Sequence, residues 1–498
     1  MQETELKFQV PVAARAAVAA AVAGAQPAKR VRLQASYVDT ADRALAAAGL
    51  ALRVRREGRR WVQTLKGAGS DGMTRAEHNV VLTAAAGDVP QPDPSLHAGT
   101  AVGERLSATL ASAGEGRALL CLYRTDIWRR TRQLKTGAGT VELAFDEGFI
   151  AAGERRLAVR ELEIELLAGS PLAVIDTAAQ WLPRHGLWLD TRTKAERGDL
   201  LARGEPMAPP RHVVPVRLRD DASVAQGQHA VLASCADQVS VNASQVASGD
   251  FSAEHLHQLR VGLRRLRTAL RLFEPAAAAL AEPAAALFRQ LGAARDADAV
   301  AAPLAQALGD AMRSVGQGGA LPPVPAAAAS DPAACVRAGP AQALLLGLLR
   351  ELQRHGDGTG DGAGSALEAP LHAHASATLQ RWHRQVKADA KRFATLDEET
   401  RHALRKRAKR LRYAAEFMAA LYPKKAVAAY LKPLRRLQER LGELNDIAVG
   451  IEAFRGAADS DPRALFALGW LASRRDALLL GCEPQLAAFR DAKRFWRK

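Results

Sequence analysis

Met1-Gln-Glu-Thr-Glu-Leu-Lys-Phe-Gln-Val10 opens the chain, and its alternation decides how the first half is read. At the two-residue period of a strand, Glu3, Glu5 and Lys7 project to one side. Thr4, Leu6, Phe8 and Val10 project mostly to the other. Taken alone, the segment also fits a charged edge strand on a solvated sheet. A mixed-charge face backed by apolar residues fits a second arrangement better, the inside of a closed sheet packed outside by helices. Buried charge without a partner is very costly, so such an interior needs something to solvate it. A polyanion with its divalent cation would do so, carboxylates holding the cation and bases the anion.

The same alternation recurs down the first half. Gln34–Thr40 reads as a second strand, and Leu50–Arg55 puts Arg53 and Arg55 opposite Leu52 and Val54. Trp61–Lys66 ends on Lys66, Thr74–Leu82 shows Arg75, Glu77 and Asn79 on one face, and Cys121–Arg130 holds Arg124. Val141–Asp146 places Glu142 and Asp146 together, and Glu161–Leu166 sets Glu161, Glu163 and Glu165 against Leu162, Ile164 and Leu166. Three glutamates along one strand face repel one another unless a cation sits there. Basic strands and acidic strands sorted in this way predict a barrel with a charged bore. Helical stretches are expected at Val12–Ala25 and Pro171–His185.

Glu3-Thr-Glu-Leu-Lys7 resembles the E-x-E-x-K signature of the CYTH superfamily, the triphosphate tunnel metalloenzymes. The resemblance covers residues 1–204, through Leu-Arg-Val-Arg (52–55), Thr-Leu-Lys (64–66), Tyr-Arg (123–124), Val-Glu-Leu-Ala-Phe-Asp (141–146), Glu-Leu-Glu-Ile-Glu (161–165) and Lys-Ala-Glu-Arg-Gly (194–198). It implies an α+β domain, an eight-stranded antiparallel tunnel with flanking helices that binds a triphosphate and a divalent metal. By the same resemblance Glu3, Glu5, Asp146, Glu161, Glu163 and Glu165 hold Mg2+ or Mn2+. Which two of the last three glutamates are direct ligands stays open, since all share a face. Lys7, Arg53, Arg55, Lys66, Arg124 and Lys194 are implied to cradle phosphates in catalysis. For each side chain a structural ion pair is the competing role, most of all for Lys66, Glu142 and Arg197.

Composition points the same way. The 498 residues carry a net charge of +16, which favours a polyanionic partner. Aromatic residues make up only 5%, too few for stacking platforms along single-stranded nucleic acid. Cys121, Cys235, Cys335 and Cys482 are far apart, fitting a reducing compartment and offering no zinc spacing. The sequence shows no secretory signal and no apolar run of transmembrane length, so a cytoplasmic protein is expected, with no membrane partner.

Pro206, Pro209 and Pro210 mark a break over residues 205–216, after which helical periodicity replaces alternation. Within His255–Phe273, His257, Arg260, Arg264, Arg267 and Arg271 form one stripe; Leu259, Leu263, Leu266, Leu270 and Phe273 form another. His402, Arg405, Lys409 and Arg412 repeat the basic stripe, beside Leu404, Ala408, Leu411, Ala415 and Met418. Each unit is followed by a similar phrase, Leu-Gly-Ala-Ala-Arg-Asp (291–296) and Leu-Gly-Glu-Leu-Asn-Asp (441–446). The pattern is an internal duplication of helical bundles, with glycine- and proline-rich loops near 314–340 and 355–365. A basic stripe is often just a solvated face. These two hold almost no compensating acid, though, and could line a groove for a flexible polyanion. The repeats resemble the CHAD domain over residues 217–498, a helical family associated with inorganic polyphosphate. One departure is Glu416, where the first repeat has Arg271.

The CYTH-then-CHAD order resembles bacterial inorganic triphosphatases. It implies metal-dependent hydrolysis of tripolyphosphate in the first domain and binding of long-chain polyphosphate in the second, with association to polyphosphate granules. Other CYTH chemistries compete: nucleoside or thiamine triphosphate hydrolysis, or adenylate cyclisation, for which no ribose pocket is evident. A non-catalytic granule-binding protein is a further alternative. Nucleic-acid binding ranks below these.

Overall fold

A computed structural model describes residues 2–24, 29–67, 69, 72–83, 89–113, 118–274, 278–316, 330–356, 365–459 and 461–497. Pro275, Pro325 and most of the two predicted loops lie outside the described residues, as do the side chains of 293–296 in the first repeat's Leu-Gly phrase.

Among the described residues the strands are β1 (Gln2–Gln9), β2 (Lys29–Asp39), β3 (Leu50–Glu57), β4 (Arg60–Gly67) and β5 (Thr74–Leu82). They continue with β6 (Leu120–Thr136), β7 (Gly139–Ala152), β8 (Arg155–Gly169) and the two-residue β9 (Trp188–Leu189). They form one antiparallel sheet in the order β5-β4-β3-β2-β6-β7-β8-β1-β9. Glu3 opposite Arg75 and Gln2 opposite Ala76 then pair β1 with β5 and close the eight long strands into a barrel. β9 adds to the free end of β1 at Phe8 and Gln9. The β6-β7-β8 meander is longer than the alternation predicts, because pairing carries the strands on through polar residues such as Lys135 opposite Thr140.

The apolar face of each strand is turned outward and covered by helices α1 (Arg15–Ala23), α2 (Ala44–Ala47), α3 (Ala101–Ala113) and α4 (Leu172–His185). Leu45, Leu50, Leu52, Leu65, Val102 and Leu106 make one such layer. Val174, Ile175 and Ala178 of α4, an element lying against β8, β1 and β7, are wholly buried. Phe8 is 0% exposed, so truncating it to Ala would cost about 3–5 kcal/mol.

Helix α5 (Lys194–Arg203) is started by a capping box in which Thr193 Oγ1 accepts from the Glu196 amide (3.0 Å) and Glu196 accepts from the Thr193 amide (2.7 Å). It lies against β6, β7 and β8, with Ala195, Leu201 and Ala202 packed on Leu33, Tyr37, Tyr123 and Ile127. Gly198 permits this approach: a Cβ there would fall 2.2 Å from the Tyr123 ring.

The remaining chain is helical: α6 (Val224–Ser248), α7 (Ala253–Leu272), α8 (Ala281–Ser314), α9 (Pro332–Arg337), α10 (Gly339–Gly356) and α11 (Ser365–Glu368). It continues through α12 (Leu371–Lys391), α13 (Glu398–Phe417), α14 (Lys424–Arg455), α15 (Pro462–Leu480) and α16 (Glu483–Arg490). Among the described residues no helix is long and apolar enough to cross a membrane.

Two compact units emerge. One comprises residues 1–212 with 236–259 and 336–354; the other comprises 213–235, 260–335 and 355–498. The first therefore includes helical segments from beyond the proline-rich break. The Leu189 amide donates to Gln342 Oε1 at 2.7 Å, the Thr191 amide to Ser244 Oγ at 3.0 Å, and Arg337 lies over the Trp188 ring. In the second unit Leu308, Ile447, Phe454, Ala467 and Leu471 form one core, and Tyr430, His383, Phe489 and Trp496 another group of touching rings.

Candidate functional site

The barrel puts the charged faces inside. Register sets the contacts: Glu5 lies opposite Glu165, Lys7 opposite Glu163, Glu142 opposite Glu165, and Asp146 opposite both Glu161 and Arg129. Across β3, β4 and β5, Arg53 faces Thr64, and Lys66 faces Glu77.

The acids fall into two groups. Asp146, Glu161 and Glu163 can each bring one oxygen within 4.8 Å of the others. Lys194 Nζ stands 2.7 Å from Asp146 and 2.8 Å from Glu163 and also contacts Glu161. Arg129 grips Asp146 and reaches Glu163, while Arg197 holds Glu161. Burial alone would raise the Glu163 carboxyl, but Lys194 and Arg129 outweigh it and hold it well below the usual range.

The second group is Glu3, Glu5, Glu77 and Glu165. Lys66 Nζ bridges Glu3 (2.6 Å) and Glu77 (2.8 Å), and Lys7 donates to Glu5 at 3.1 Å. Burial, with a hydrogen bond to Glu77, pushes Glu3 up to about 8, while the bonds from Glu3 and Lys66 hold Glu77 low against burial. Burial and the Glu5 charge push Glu165 up to about 7. Glu5 itself is lowered, since Lys7 and Lys66 overcome its burial.

Arg53 and Arg55 extend into the same bore. Arg53 donates to the Tyr37 hydroxyl at 3.0 Å, and Arg55 Nε donates to Glu57 at 2.8 Å. Burial and the neighbouring Arg53 pull Arg55 down to about 10. Arg124 departs from expectation: it is exposed and pairs with Ser36 and Ala151 on the face of β6 away from Arg129. The bore takes Arg129 instead, five residues on. Alternation alone could not choose between them, since both parities of β6 carry arginine. Arg129, Arg197 and Tyr37 are the bore residues that the sequence did not single out.

Hard carboxylate oxygens in a tight buried group suit Mg2+ or Mn2+, and the ammonium and guanidinium groups now against them show that this site demands positive charge. The residues fit a divalent ion. The wider arrangement, acids and bases mixed in one bore, suits a ligand that brings anionic oxygens together with such an ion.

In the helical unit the two basic stripes are brought together. Burial, then the charges of Arg405, Arg264 and Arg412, depress Lys409 to about 7. The stripe residues are not equivalent. Arg260 is 4% exposed, donates to the Leu291 and Gly292 carbonyls at 3.4 and 3.5 Å, and shares the Phe288 ring with Arg264 and Arg267. Arg412 donates to Gln438 and Glu416, so the acid that departs from the first repeat is an ion-pair partner. His402 meets Asn445 of the second Leu-Gly phrase at 3.0 Å. His257 is half-buried, and Arg271 is exposed.

The CYTH domain family matches residues 1–198 and the CHAD domain family residues 230–455. The chain carries a CYTH domain followed by a CHAD domain. Its CYTH-CHAD sequence is 29% identical to the inorganic triphosphatase of Haemophilus influenzae over 170 residues, 33% of this chain and 45% of that protein. The chain thus spans less than half the length of that curated relative. Among solved structures, the CHAD domain from the plant Ricinus communis is 28% identical with a TM-score of 0.46, covering 58% of this chain and 99% of that one. A protein from Hippeastrum, named as an adenylyl cyclase with a dominant triphosphatase activity, is 20% identical with a TM-score of 0.29, covering 42% of this chain and 99% of that one.

Proposed function

We propose that the CYTH tunnel hydrolyses inorganic tripolyphosphate to pyrophosphate and phosphate with Mg2+ or Mn2+, and that the CHAD domain binds long-chain polyphosphate. One observation carries this reading: two buried carboxylate groups share a closed bore with Arg53, Arg55, Arg129 and Lys194. In this assignment Asp146, Glu161 and Glu163 form one cation-holding set, and Glu3, Glu5 and Glu165 the other. Lys7, Arg53, Arg55, Lys66, Arg129 and Lys194 bind and orient the phosphate oxygens. When bound, the divalent ion neutralises phosphoryl charge and makes water more acidic. Water attacks the terminal phosphorus, the bridging P–O bond breaks, and pyrophosphate leaves, so positioning and charge stabilisation supply the catalysis.

We assign residues 1–204 to the tunnel domain, 205–216 to a linker and 217–498 to the helical domain. The inferred setting is the cytoplasm, at polyphosphate granules. Phosphate release from tripolyphosphate, ATP, thiamine triphosphate and long-chain polyphosphate, with and without Mg2+ or Mn2+, tests the reading. Metal-dependent turnover is expected to be fastest on tripolyphosphate. Preference for ATP or thiamine triphosphate would overturn the substrate assignment, and turnover of none would leave a binding protein.

A further inference from the structure

Tyr37 is set into the wall of the bore. It lies opposite Arg53 in the β2–β3 register and opposite Tyr123 in the β2–β6 register, and it is 4% exposed. Its ring stacks on Tyr123 with centroids 4.8 Å apart and planes 19° from parallel. Tyr123 in turn is pressed by α5 at Gly198, where no Cβ could fit. The phenol is therefore held in place from behind, by packing that leaves its hydroxyl position little freedom.

A phenolic oxygen can both accept and donate, whereas a guanidinium has donors only. In the 3.0 Å contact with Arg53 Nη1, Tyr37 must accept, and its own hydrogen points elsewhere. Among the described residues no group accepts that hydrogen. The charges bearing on the hydroxyl are those of Arg53, Lys194 and Arg55, all cationic. A buried donor without an acceptor is costly, and one ringed by cations is matched by an anionic oxygen. Arg53 Nε, also buried and without a partner, adds a second donor at the same place. The cations draw the phenol's pKa below its usual value despite burial, which strengthens it as a donor.

We infer that Tyr37 is a further substrate-binding residue of the tunnel, its hydroxyl accepting from Arg53 while donating to a phosphate oxygen. This rests on the triphosphate reading of the bore.

Tyr37→Phe keeps the ring and its stack and removes only the oxygen, and Tyr123→Phe removes a hydroxyl from the same stack as a control. Steady-state kinetics on tripolyphosphate, calorimetric tripolyphosphate binding to the metal-free protein, and Tm are measured for the wild type, both variants and Arg53→Ala. Tyr37→Phe is expected to raise KM and weaken calorimetric binding about tenfold, the scale of one lost charge-assisted hydrogen bond. Its Tm should match the wild type, and Tyr123→Phe should bind normally. A Tyr37→Phe variant within twofold of wild type, or a Tyr123→Phe variant equally impaired, overturns the inference. If Arg53→Ala is impaired while Tyr37→Phe is not, only the role of Tyr37 falls. If Arg53→Ala binds and turns over normally, the triphosphate reading falls with it.

Discussion

Arg129 meets Asp146 along two parallel bonds, Nε to Oδ1 and Nη2 to Oδ2, each 2.7 Å long. The carboxylate inside that grip is one of three whose oxygens can converge on a single cation. Asp146 thus serves an ion pair and a candidate metal set together, and the two roles are separable by mutation.

Asp146→Asn should abolish metal-dependent hydrolysis. It should also lower stability by about 3–5 kcal/mol, because Arg129 and Lys194 lose a buried counter-charge. Glu5→Gln should abolish hydrolysis with a smaller loss of stability, since among the described residues Glu5 is in an ion pair with Lys7 alone. Near-normal turnover at saturating Mg2+ in either variant would remove that residue from the metal-holding sets.

Arg53→Ala and Arg55→Ala should each impair turnover of tripolyphosphate by at least about tenfold. Lysine should rescue only in part, because a point charge lacks the guanidinium fork. Wild-type affinity and turnover in both alanine variants would exclude this strand from phosphate binding.

Residues 1–204 contain every proposed catalytic residue, so a fragment ending there should retain triphosphatase activity. It should nevertheless melt below the full chain, because the amides of Leu189 and Thr191 lose Gln342 and Ser244, and Trp188 loses Arg337. Calorimetry and activity per folded molecule check this; a fragment with the full chain's Tm would make those helical contacts energetically silent.

The fragment 217–498 should bind long polyphosphate without hydrolysing it, with an affinity that falls steeply with salt. Reversal to glutamate at Arg264, Arg405 and Lys409 should abolish binding. Arg260 is left intact, since its buried guanidinium supports backbone carbonyls. With its pKa near 7, set by burial, Arg405, Arg264 and Arg412 against the opposing Asp446, Lys409 gains charge as pH falls from 8 to 6. Binding should therefore tighten over that range, and Lys409→Met should flatten the response. Affinity that survives the reversals would return the stripes to a solvated face, and tighter binding of duplex DNA would point to nucleic acid.

His97 is fully buried, with its ring nitrogens 3.0 Å from Gln63 and 2.9 Å from His78. Burial and the His78 charge, opposed by Asp93, lower it to about 4. The unfolded chain would protonate it near the ordinary value of about 6.5. Its contribution to stability is thus complete above that pH and is lost as pH falls toward 4, on the order of 3 kcal/mol. Denaturant titrations at pH 7 and 4.5 should show the loss, and His97→Gln should reduce it; an unchanged pH slope in the variant would exclude His97 as the cause.

Much of this was legible in the chain. Alternation in Glu3-Thr-Glu-Leu-Lys7 and Glu161-Leu-Glu-Ile-Glu165 announces charged strand faces, because a pleated strand sends neighbouring side chains to opposite sides whatever surrounds it. Stripes three and four apart announce the helices of the second half for the same local reason. Arg124 against Arg129 was not legible. β6 offers arginine on both faces, and only its pairing with β7, which sets Arg129 opposite Asp146, determines which one enters the bore.

The sequence by itself determined that the first half forms strands with a charged face and the second half basic amphipathic helices, since both follow from the periodicity of neighbouring residues. Only the tertiary structure decided which acids gather. Asp146, Glu161 and Glu163 converge while Glu165 turns to Glu5 and Glu142, because strand register and barrel closure are long-range pairings that no local pattern encodes. The same holds for Gln342 and Ser244, which reach β9 and the residues just after it from more than fifty residues away in the chain.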